Sequence, residues 1–145
     1  MLNFMTIPMW VLLGFAGWTL TVLIGTVGIY RWSRIATGRS GFGEGRAPEQ
    51  QGREWYRRAI RAHTNCVESL PVYGAIVLCA YAVQASSDFL NLLAVTILAA
   101  RICQTSVHIA VPQTGAVAAM RFAFFYLQVL CMVSMGIIVA ATAAG

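Results

Sequence analysis

Arg57-Arg58-Ala59-Ile60-Arg61-Ala62-His63-Thr64-Asn65-Cys66-Val67-Glu68-Ser69-Leu70-Pro71 is the stretch that decides the fold. It starts in the most polar part of the chain and runs straight into the apolar segment 72–83, with one proline as the only interruption. At 100° per residue, Glu54, Arg58, Arg61, Asn65 and Glu68 share one helical face. A charged stripe entering a membrane-length helix needs partners, a bundle interior or a wet cavity, because isolated charges at that depth are costly.

Composition sets the class. The 145 residues are 59% hydrophobic and 10% charged, far below the roughly 25% charged residues of a soluble domain. The pattern predicts an all-α polytopic membrane protein, one domain over 1–145, with four spans at about 7–30, 54–84, 89–111 and 116–141. Residues 37–52, rich in Gly and carrying Pro48 and Gln50-Gln51, read as the long first loop. The link Gln84-Ala85-Ser86-Ser87-Asp88 is short, so the second and third spans form an antiparallel hairpin.

Net charge is +5, carried by Arg without Lys. These arginines lie between and inside apolar runs, which argues against nucleic acid as the partner. Arg31, Arg34, Arg39, Arg46 and Arg53 fit a cytoplasmic first loop and place the N-terminus outside. The first run has no basic residue before it, unlike a signal peptide, and reads as a retained span of the inner membrane. Trp10 is expected at the interface and Trp18 in the bundle. Cys66, Cys79, Cys103 and Cys131 show no metal or disulfide spacing and read as packing residues. With His63 and His108 as the only histidines, no metal site is expected.

The third span carries Arg101, Gln104, Thr105 and His108 on one face; the fourth carries Arg121, Tyr126 and Gln128 in its first half. Sidedness brings these to the depth of Arg61, Asn65 and Glu68. Glu68 can neutralise only one of Arg61 and Arg101, so guanidinium groups remain in surplus. Such a site accepts carboxylates in bidentate fashion, while Glu68 can hold an ammonium and Asn65 both donates and accepts. Residue types alone fit two readings: a site for a small zwitterionic peptide, or an internal salt-bridge network that fixes helix register. An ion or proton channel fits less well, because the polar groups gather in one leaflet.

The segment Arg61-Ala62-His63-x-Asn65-x-x-Glu68-x-x-Pro71 resembles the second-helix signature of the MAPEG family, the membrane-associated proteins in eicosanoid and glutathione metabolism. The four spans, the long first loop and the placement of Arg101 and Arg121 extend the likeness, and Leu70-Pro71-Val72-Tyr73 is closer to its bacterial branch. The resemblance implies a homotrimer of four-helix subunits with glutathione bound at the cytoplasmic side between subunits, and a hydrophobic substrate entering from the bilayer. By position it implies Arg61, Asn65, Glu68 and Arg101 as glutathione contacts, with His108 where some members carry a tyrosine. It implies Arg121 as the stabiliser of the thiolate, with Tyr126 as a candidate partner. The chain departs from the pattern at Phe122 and Phe125, which stand where other branches have serine and tyrosine, and at Thr64. The implied activity is a glutathione transferase or peroxidase; the alternative is a non-catalytic scaffold or lipid-binding protein on the same fold.

Overall fold

The computed structural model describes residues 5–38 and 53–145. Most of the expected first loop, with Arg39 and Arg46, lies outside the described residues. Four helices are long and apolar enough to cross a membrane: α1 (Ile7–Ala36), α2 (Glu54–Ala82), α3 (Asp88–Ala110) and α4 (Gly115–Ala144). They pack as an antiparallel bundle, as the hydrophobic pattern predicts.

Local chemistry explains the helix ends. Pro8 sits in the first turn of α1, where its missing N–H has no intrahelical partner to lose. The Ser87 side chain caps α3 by accepting from Leu90 N at 3.1 Å. Thr114 caps α4 by accepting from Val117 N at 3.3 Å. Val111 is extended at the end of α3, as the residue before Pro112 prefers to be. Helix α2 continues through Pro71. The 5-residue link between α2 and α3 turns at Gln84, whose φ is 55°.

Helix α1 runs on past Tyr30 to Ala36 and changes type on the way, with a π-helical turn over Leu23–Gly28. Buried α1 residues are Pro8, Val11, Phe15, Thr19, Val22 and then Val27. The steps of three and four along the face are broken by a single step of five at the π turn, where i→i+5 hydrogen bonding realigns the face. Tyr30 is thereby brought onto Tyr56 of α2, ring centroids 4.1 Å apart.

The core lies where α1, α2 and α3 meet and extends to α4. Phe15, Tyr73, Leu90, Ile97 and Met135 are fully buried in it. Tyr73 donates its hydroxyl to Pro8 O at 3.2 Å, tying α2 to the start of α1. Gly14 lets α1 approach α3: a Cβ there would stand 3.2 Å from Leu98 Cδ2. Trp18 packs against this core and Trp10 is exposed. Large apolar side chains such as Leu13, Leu20, Leu78, Leu92, Leu130 and Ile137 face outward, the surface that a hydrocarbon solvent requires.

Candidate functional site

The start of α2, the end of α3 and the start of α4 meet at one end of the bundle. Arg58 Nε donates to Ile109 O at 3.2 Å, fixing α2 against α3. His108 is buried there, within electrostatic reach of Arg121, Arg61 and Arg58. Below this basic cluster, a polar network joins the three helices. Arg101 on α3 is 1% exposed. It donates from one terminal nitrogen to Gln104 Oε1 at 3.1 Å and from the other to Ser69 Oγ. Ser69 Oγ donates in turn to Asn65 O at 2.9 Å. From α4, Gln128 Nε2 donates to Gln104 Oε1 at 3.0 Å, and Gln104 Nε2 donates to Arg121 O at 3.1 Å. Gln104 therefore stands between Arg101 and the backbone that carries Arg121.

Two cavities open beside this network. The first, about 350 Å³, is polar: Asn65, Glu68, Gln104, Gln113 and Arg121 line it with Phe122 and Phe125. The second, about 520 Å³, is an apolar groove between α2 and α4, walled by Val72, Ile76, Met132 and Gly136, with Ser69 and Arg101 on one side. Asn65, Glu68 and Phe125 border both. The polar cavity falls within the roughly 300–1,000 Å³ range of small-molecule sites.

The candidate residues divide over this geometry. Asn65, Glu68 and Arg121 share the polar cavity. Arg101 faces the apolar groove instead. Arg61 is exposed and His108 is buried, and neither lines either cavity. Tyr126 is 62% exposed and also lies outside both, while Phe125 occupies their junction. The expected neutralisation of Arg61 or Arg101 by Glu68 does not occur. Among the described residues the ion pairs are those of Glu54 with Arg57 at 3.1 Å and with Arg58 at 3.7 Å. Arg101 is held by neutral acceptors inside the bundle, one on each terminal nitrogen, whereas Glu68 stands exposed at the mouth. Arg121 keeps a buried Nε without an acceptor.

Sequence reasoning missed Ser69, Gln104 and Gln128 as organisers of the site. Their signal was available: each is a neutral polar residue on an apolar helix, in step with an arginine. Among the described residues no group of His, Cys, Asp and Glu is placed to hold a metal.

The polar cavity offers two unpaired charges of opposite sign, Glu68 and Arg121, plus three side-chain amides. That donor set fits a zwitterion carrying peptide groups, and the adjoining groove fits an apolar molecule. No curated protein and no solved structure matches the chain. A family model, the MAPEG family, matches residues 7–141, nearly its whole length. With four membrane-length helices and this match, the chain is an integral membrane protein and belongs to the MAPEG family.

Proposed function

We propose that the protein is a membrane glutathione transferase or peroxidase that joins glutathione to lipid-soluble electrophiles or reduces them with it. The observation that carries this reading is the meeting of the polar and apolar cavities at Asn65, Glu68 and Phe125. A water-soluble thiol and a bilayer-soluble partner reach each other there. Glu68 holds the peptide's ammonium, Asn65, Gln104 and Gln113 its amides, and Arg121 the thiolate. A fixed cation favours the charged form of a thiol whose ordinary pKa is about 8.5, which raises the nucleophile's population at neutral pH. Tyr126 lines neither cavity of its own chain, so this reading gives it no role there.

The same reading includes a homotrimer, which two exposed groups support. Arg61 and Glu68 are exposed on one chain without ion-pair partners, and polar groups on a spanning helix need cover. Neighbouring copies would supply it and would bring Arg61 towards the site. The arginine-rich end fits the cytoplasmic face of an inner membrane, with the N-terminus outside.

Calorimetry in detergent tests the binding step: glutathione should bind at millimolar concentration or below, and no heat at that concentration removes the reading. Arg121→Ala should lower kcat about tenfold or more with a smaller change in affinity, as expected for an interaction made mainly in the transition state. A second reading, a binding protein without turnover, is favoured by one feature: no side-chain hydroxyl lines the polar cavity, where Phe122 and Phe125 flank Arg121. Glutathione-dependent turnover of chlorodinitrobenzene or a lipid hydroperoxide excludes it.

A further inference from the structure

We infer that Arg101 is a positioning residue: from outside the polar cavity it orients Gln104, and through Gln104 it holds Arg121 at the thiol. The inference rests on the proposed reaction and adds to it a residue that does not touch glutathione. Gln104 is the pivot. A side-chain amide can sit in either of two orientations, and its neighbours decide which. Gln104 Oε1 accepts from Arg101 at 3.1 Å and from Gln128 Nε2 at 3.0 Å, which leaves Nε2 to donate to Arg121 O at 3.1 Å. Gln128 is itself an amide, able to accept as well as donate. Arg101 can only donate, so it is the neighbour that forbids the reversed orientation. Reversed, Gln104 would set its nitrogen against a guanidinium and its oxygen against a carbonyl, and both contacts are repulsive.

Arg101 is fixed from three helices. Its other terminal nitrogen donates to Ser69 Oγ on α2, and the Phe15 ring of α1 lies 5.4 Å from its central carbon. Ser69 Oγ donates onward to Asn65 O at 2.9 Å. A continuous run of side chains therefore joins the backbone of Asn65 to the backbone of Arg121. Both of those residues line the polar cavity, and Arg101 does not. It braces the two walls from behind. The brace sets where Arg121 stands relative to the α2 residues that hold the peptide. A misplacement of about 1 Å can cost about a hundredfold in rate, and a cation's hold on a thiolate weakens with distance. Loss of the brace therefore loosens the thiolate while the peptide's anchors on α2 remain.

Calorimetry with glutathione, and the ultraviolet band of its thiolate followed against pH, test this in nanodiscs without an electrophile. Wild type should bind and show the band. Arg101→Met, which cannot donate, should bind within about threefold of wild type, while its band at neutral pH falls about fivefold or more and the midpoint moves to higher pH. Arg101→Lys should restore the midpoint, because lysine also only donates, although with one nitrogen in place of two it melts below wild type. That rescue separates orientation from stability: a merely structural Arg101 makes both variants lose thiolate in step with their melting points. Should Arg101→Met fail to fold, Arg101→Lys decides by the same midpoint, which must match wild type. An undiminished band in Arg101→Met, a displaced midpoint in Arg101→Lys, or a loss of affinity as large as the loss of thiolate overturns the inference and leaves the proposed reaction standing. Neither heat nor band from wild type removes the reaction, and this inference with it.

Discussion

Replacing Gln104 by leucine should destabilise the bundle far more than the same change at Gln128, although both are buried glutamines joined to each other. Gln104 Oε1 accepts from Arg101 and from Gln128, and its Nε2 donates to Arg121 O. Gln104→Leu leaves one Arg101 nitrogen without its acceptor inside a residue that water cannot reach. A hydrogen bond to a charged group is worth about 1.5–3 kcal/mol, and neutral interhelical bonds in membranes average about 0.6 kcal/mol. The total loss is about 3 kcal/mol, and at about 3 °C per kcal/mol for a chain of this size the melting point should fall by roughly 10 °C. Gln128→Leu removes two bonds from one nitrogen, to Gln104 Oε1 and to Phe124 O of its own helix, and also an oxygen, Oε1, that is buried without a partner. Both lost bonds are neutral, and losing an unsatisfied acceptor offsets part of them, so the cost stays at about 1 kcal/mol. The protein carries its own reporters. Cys79 and Cys103 are exposed and can be blocked with N-ethylmaleimide in the folded state; Cys66 and Cys131 are buried and then react with a fluorogenic maleimide only on heating. Equal shifts for the two variants, or a Gln104→Leu protein melting within 2–3 °C of wild type (about 1 kcal/mol), would refute the hub role of Gln104.

Tyr73→Phe keeps the ring against Phe15 but loses the 3.2 Å bond to Pro8 O; the midpoint of unfolding in dodecyl sulfate should report a loss of about 1 kcal/mol. Gly14→Val should cost about 1–3 kcal/mol through its contact with Leu98, whereas Gly17→Ala, open on every side, should be neutral or gain up to about 1 kcal/mol. The same melting assay ranks them, and an inverted order contradicts the close approach of α1 to α3. Tyr126→Phe should change glutathione turnover by less than twofold, a tenfold loss being evidence that its hydroxyl reaches a site on a neighbouring copy.

The bundle was readable because its evidence is additive: long apolar runs, a short link at 84–88 and arginines in step with one helical face. The site was readable only where charge marked it. Asn65, Glu68 and Arg121 do share a cavity, and spacing along single helices was enough to bring them to one depth. Arg101 shows where that method stops. Its depth follows from the sequence, but which of two neighbouring cavities it enters depends on how α4 lies against α2. Glu68 shows a second limit. Counting charges pairs it with an arginine, yet both terminal nitrogens of Arg101 turn to the neutral Gln104 and Ser69 instead. Neutral amides in step with an arginine mark polar positions in the sequence, but which of them bond to one another emerges only from coordinates. Phe125 and Tyr126 differ by 100° on a helix, and that single step puts one at the junction of the cavities and the other on the outer surface.

The π turn at Leu23–Gly28 has a consequence for how this helix tolerates changes in length. Elsewhere in a spanning helix, removing one residue rotates everything beyond it and turns core side chains towards lipid. Here the wide turn already holds one residue more than an α-helix needs, between Val22 and Val27. A single deletion within it converts the step of five to a step of four, with Phe15 still facing the core and Tyr30 still able to meet Tyr56. The turn is thus a slack point, the place in α1 where the chain can shorten by one residue without exchanging its inner and outer faces.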